Sequence, residues 1–121
     1  MADALHVAEC DYLGIVSGNK ESDKIGKCGF HVTKSEFVNA PVIDELPMVL
    51  ECELISYDEK SCRLLGQIKN VAIDENAIDE NGKVNVSKLS PITYDSFNHD
   101  YIKLGEIVGK AFSDGKKIMK K

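Results

Sequence analysis

The clearest pattern in the chain is an alternation. Over residues 48–55, Met48, Leu50, Cys52 and Leu54 interleave with Val49, Glu51, Glu53 and Ile55. A period of two puts each set on its own face of a strand, one face buried and the other mostly solvated. The polar run at 58–61 breaks the pattern, and an apolar-rich stretch returns over 62–73. Together they predict an antiparallel hairpin of 48–57 against 62–73, with Cys52 in the core and Gly66 at a bulge or close approach.

Elsewhere the pattern is shorter. Leu5, Ala8 and Tyr12 recur at helical spacing, with Ala4 and Val7 beside them, which predicts a helix of about three turns starting almost at the first residue. Asp3 is its only candidate cap. Residues 21–30 predict a second, short helix, capped by Ser22 or Asn19 and stopped by Gly26 or Gly29. Residues 30–47 read as two short extended pieces, with Pro41 and Pro47 marking edges and turns. A polar, turn-rich stretch follows, punctuated by Asn81-Gly82 and Ser90-Pro91. In it Val84 and Val86 form a strand fragment and residues 92–94 another. At the end, Leu104, Ile107, Val108, Ala111 and Phe112 fall at helical spacing. Gly105 and Gly109 weaken that helix by about 1 kcal/mol each. The lysines of 116–121 predict a frayed, solvated tail. The sum is a mainly β chain with flanking helices (α+β), residues 1–121 forming a single domain.

Charge and composition narrow the function. The 121 residues carry a net charge of −5, which argues against a nucleic-acid backbone as the main partner. No apolar run reaches the length of a membrane span and no basic-then-apolar leader is present, so no membrane partner is expected and the cytoplasm is the expected location. The four cysteines form no C-x-x-C pair, and reduced thiols are expected. Cys10 and Cys28 flank a glycine-rich loop and read as packing residues. His6, His31 and His99 are too scattered for a metal site. Asp95, His99 and Asp100 lie close together and read as a loop cluster. Ser17 lacks a G-x-S-x-G context. The DEN runs at 74–76 and 79–81 lack the glycine and closing glutamate of a calcium loop. No catalytic residue is assigned, and chemistry here requires a cofactor.

That loop, GIVSGNKESDKIGKCGF at 14–30, places Gly14, Gly18, Gly26 and Gly29 among serines and lysines. Glycines let backbone N–H groups approach a ligand and lysines neutralise phosphate; the same residues also suit a plain connection between helices. The order of YLGIVSGNKESDKIGKCGF, APVIDELPMVLECEL, LLGQIKNVAIDENAI, ENGKVNVSKLSPITY and YIKLGEIVGKAF resembles flavin reductases of the flavoredoxin type. The likeness spans about residues 4–112. It lies in Leu13-Gly14, Ser17-Gly18-Asn19, Asp23-Lys24-Ile25, the Ile43 to Pro47 turn, Leu50-Glu51-Cys52, Gly66-Gln67, and Tyr101 with Leu104-Gly105.

This resemblance implies a partial FMN-binding split β-barrel, the chain matching the C-terminal portion of the family's usual length. The family's chains begin with several strands and a helix ahead of the point where this sequence starts. It also implies that Ser17, Gly18 and Lys24 face the phosphate or ribityl chain of FMN, while Tyr101, Leu104 and Gly105 border the site. Asn19 stands where the family has arginine. The implied partners are FMN, NAD(P)H and an electron acceptor, in a homodimer. Three functions follow: a flavin-dependent oxidoreductase, a flavin-binding module without turnover that needs a partner chain, and a truncated remnant that folds and does no chemistry.

Overall fold

The hairpin dominates the molecule. In the computed structural model, which describes residues 1–119, β3 (Met48–Asp58) pairs antiparallel with β4 (Arg63–Ile73). Preceding it, β1 (Val32–Lys34) pairs with β2 (Pro41–Ile43), and following it, β5 (Ile92–Asp95) pairs with β6 (Asp100–Lys103). The three antiparallel ladders do not join into a closed barrel among the described residues. Short helices flank them: α1 (Val7–Ile15), α2 (Lys24–Lys27), α3 (Val86–Leu89) and α4 (Lys116–Met119).

Local chemistry explains the boundaries. Asp3 accepts from the N–H groups of Leu5 and His6 and from His6 Nδ1 at 2.8 Å, so α1 starts at Val7, one turn later than its apolar spacing predicts. α2 ends in a Schellman arrangement: Gly29 has φ +73°, its N–H donates to Gly26, and Phe30 N–H donates to Ile25. Asn85 caps α3 by accepting from Lys88 N–H. Val86 therefore lies in a helix rather than the expected strand fragment, while Val84 bridges Ile78.

The long hairpin carries two register shifts, with Ile55 extra on β3 and Lys69 extra on β4. Gly66 sits beside the first, where an added Cβ would meet the Cys52 Cβ at 3.3 Å; the close approach expected from the sequence is real.

Two expectations are overturned. The alternation is present, but its apolar face is uncovered: Leu50 is 45% exposed, Leu54 61%, and Cys52 is exposed rather than in the core. The buried position of the strand is Glu51, which receives hydrogen bonds from Ser35 and from Asn70 Nδ2. Nor is there a helix over 104–112. Residues 104–110 have no regular structure and 111–115 form a turn in which Phe112 has φ +59°, because two glycines cost helix propensity and the described residues return little of it through packing. The expected solvated tail is exposed as far as Met119, which closes the short α4; Lys120 and Lys121 lie outside the described residues.

The core is small. Among the described residues Phe30, Ala77, Leu89 and Pro91 are its buried apolar members, and Asp3 is buried with them. His6 meets Phe30 edge-on at 5.5 Å, and residues 2–4 tie to 90–92 through Ala4 N–H to Ser90 and the Asp3–Pro91 bridge. No helix is long and apolar enough to cross a membrane among the described residues.

Candidate functional site

α1, the loop after it and α2 form one unit. Carbonyls at the C-terminal end of a helix lack partners within it and attract a cation. Here Lys24 supplies one: its Nζ donates to Leu13 O at 2.8 Å and Val16 O at 2.9 Å. This folds the loop back over the end of α1. Within the loop, Ser17 O accepts from Lys20 and Glu21, and Ser17 Oγ accepts from Asn19 N–H at 3.2 Å. The amides of Ser17 and Gly18 donate to nothing among the described residues, and the space around Gly18 is open to 4 Å. Lys27 pairs with Glu21.

Between α1 and α2 lies a hollow of about 460 Å³ lined by Ala8, Glu9, Tyr12, Lys27 and Cys28. Cys28 Sγ donates to Glu9 O at 3.8 Å. Burial, with Asp3 adding to it, pushes the Cys10 thiol up, which favours its protonated form.

The structure brings Tyr101 to this unit. Its Oη donates to Asp11 Oδ1 at 2.8 Å, linking β6 to α1, and the carboxylate raises the phenol above the usual tyrosine range. The Tyr101 ring lies 5.7 Å from Tyr94, whose hydroxyl meets His99 Nδ1. Leu104 and Gly105 are elsewhere. With Asp79, Val84 and Val86 they line a second hollow of about 440 Å³, which shares no residue with the first. Of the six residues singled out in the sequence, Ser17, Gly18 and Lys24 share one loop, Tyr101 joins α1 through Asp11, and Leu104 and Gly105 form a separate group.

Asp11 escaped the sequence reading because its partner is 90 residues away and nothing local marks it. The β5–β6 hairpin did leave a signal, the mirrored ITYD and DYIK around a four-residue turn. Asp95 closes that turn by accepting from Phe97 N–H and Asn98 Nδ2. It does not contact His99 as an acid–base pair would: His99 turns to Tyr94, and only its backbone reaches Asp95.

The fold so described is a mainly β, partial split barrel. The chain is similar to the flavoredoxin of Desulfovibrio vulgaris (Miyazaki F): 33% identity and a TM-score of 0.87 over 95% of this chain and 62% of that one. It has the same fold as nitrilotriacetate monooxygenase component B from Bacillus cereus, at 23% identity and a TM-score of 0.72 over 91% of this chain and 57% of that one. The resemblance to the flavin reductase and flavoredoxin-like family therefore holds across nearly the whole chain. The chain spans less than two thirds of the length of either structure. No family model and no curated protein matches the sequence.

Proposed function

We propose that this chain is the FMN-binding part of a flavin-dependent oxidoreductase that works as a homodimer and passes electrons from reduced nicotinamide to an acceptor. The observation that carries the reading is the match to a flavoredoxin along 95% of the chain. The loop supports it. Two unused amides, a serine hydroxyl and an open glycine suit the oxygens of a phosphate, and Lys24 keeps one of its three N–H groups after serving Leu13 and Val16. Tyr101, held against α1 by Asp11, is an aromatic face of the kind a flat ring packs on.

FMN, when bound, supplies hydride acceptance and onward electron transfer. The work left to the chain is binding and orientation. Ser17 and Gly18 hold the anionic end, Lys24 sets the loop and adds charge, and Tyr101 bounds the ring side. Leu104 and Gly105 join only if the ligand reaches the second hollow. A non-catalytic flavin module completed by a partner chain is the second reading, favoured by the amount of uncovered apolar surface.

A flavin fluorescence titration with FMN and riboflavin tests this. Losing a charge-assisted contact, Lys24→Ala is expected to weaken FMN binding by about ten- to a hundredfold and to alter riboflavin binding little. Gly18→Ala is the cleaner probe, because a Cβ there meets nothing within 4 Å in the free protein. It should leave stability unchanged and weaken FMN binding by blocking the backbone approach. Asn19→Arg should strengthen it. If wild type binds no FMN, the oxidoreductase reading falls. If FMN binds and Gly18→Ala changes nothing, the ligand sits elsewhere.

A further inference from the structure

The β5–β6 hairpin and the α1–α2 unit meet through a single side-chain pair. Tyr94 and Tyr101 stand directly opposite each other in the ladder, so their rings share one face of the hairpin. They lie 5.7 Å apart, tilted by 56°. Tyr94 is held from its far side by His99, a residue with φ +62°. Tyr101 is held by Asp11, 90 residues away. Among the described residues that is the one hydrogen bond between the hairpin and α1, its loop or α2.

The bond lies where a purely structural role is weakest. Tyr101 is 38% exposed and Tyr94 52%, so neither ring packs into the core, and a hydrogen bond between partly solvated groups adds little to stability. What it does fix is direction. A tyrosine ring on a strand can take several rotamers. Tyr94 limits Tyr101 on one side, and Asp11 fixes the far end of the ring through its hydroxyl.

Asp11 also joins this ring to the loop. It stands four residues, about 6 Å of helix, before α1 ends at Ile15. At that same end Lys24 closes on the carbonyls of Leu13 and Val16. One short helix therefore carries the loop with its unused Ser17 and Gly18 amides and, one turn back, the acceptor for Tyr101.

We infer that Asp11 is a positioning residue of the flavin site: it holds the Tyr101 ring at a set angle and distance from the Ser17–Gly18 loop, so that α1 fixes the spacing between the ring end and the phosphate end of one ligand. The inference rests on the flavin reading above and goes beyond it by giving Asp11 a part in ligand geometry.

The test extends the FMN titration to Asp11→Ala, Asp11→Asn, Tyr101→Phe and Asp11→Ala/Tyr101→Phe. Alanine favours helix, so α1 should persist in Asp11→Ala, and circular dichroism checks this. The Asp11→Ala and Asp11→Asn proteins both lack the charge, but the asparagine oxygen still accepts from the phenol. Asp11→Ala should therefore bind FMN about two- to tenfold more weakly than Asp11→Asn. Tyr101→Phe should weaken binding by a similar factor in wild type and change nothing in Asp11→Ala, the mark of two residues acting through one contact. Bound flavin gives a spectroscopic readout: a phenol ring packed on it quenches its emission, so FMN at saturation should be brighter on Asp11→Ala than on Asp11→Asn. Wild type that binds no FMN overturns the flavin reading and this inference together. Binding in which Asp11→Ala matches Asp11→Asn, or in which Tyr101→Phe acts equally with and without Asp11, overturns the role of Asp11 and leaves the flavin reading standing. If Asp11→Ala fails to fold, Tyr101→Phe decides alone, and an unchanged FMN dissociation constant there overturns the inference.

Discussion

At the scale of single residues, the informative side chains are those whose environment contradicts their type. Glu51 is a carboxylate with 7% exposure in a molecule whose leucines are largely in water. It is tolerated there because Ser35 and Asn70 donate to it, and Ser35 also holds the β1–β2 turn through Phe37 and Val38 N–H. Those bonds favour the charged form and hold its pKa below the usual carboxylate range. A lowered native value means that the stabilisation is fully present above the usual glutamate value of about 4.5 and is lost as pH falls from there through the lowered native value. Thermal melts of wild type and Glu51→Gln should therefore diverge at neutral pH and converge as pH falls below the usual carboxylate range. Parallel curves would refute this role. Tyr101 gives a second check: with Asp11 accepting its proton, the phenol ionises above the normal range, and Asp11→Asn should return its alkaline absorbance titration toward that of a free tyrosine.

At the scale of elements, what could be read from the sequence was what short-range physics decides. The hairpin was legible because alternation over eleven-residue strands, a polar turn and Gly66 all agree. Gly29 was legible as a stop because a left-handed C′ position favours glycine. Gly29→Ala should cost about 1–2 kcal/mol through φ strain alone, since a Cβ there touches nothing within 4 Å. Urea midpoints measure this, and an unchanged midpoint would remove the Schellman account. The segment 104–112 departs from its spacing for the converse reason. Helical spacing at 104, 107, 108, 111 and 112 expresses a helix only when a surface receives that face, and among the described residues Ile107, Val108 and Phe112 stay exposed. The same holds for the site: the loop's glycines and lysines are visible in the sequence, but that Lys24 spends two bonds on the end of α1, and that Leu104 falls in another hollow, depends on contacts between distant segments.

At the scale of the whole molecule, the burial of four apolar side chains among the described residues is too little to hold three separate ladders, each of two strands and marginal alone. Chain entropy on the order of 1–2 kcal/mol per residue opposes folding, and the apolar area that would offset it is still in water. In the homodimer proposed above, association covers apolar surface and makes stability a function of concentration. For a folded dimer that unfolds to monomers, each tenfold dilution should remove about 1.4 kcal/mol, one factor of ten in the equilibrium constant. The melting temperature should then fall by several degrees per decade. Over the same series, a dye that reports exposed apolar surface should brighten as the protein is diluted, because apolar surface covered on association returns to water. Differential scanning fluorimetry from about 1 to 100 μM distinguishes the cases. A melting temperature constant across that range would mean that a single chain is stable with its apolar face uncovered.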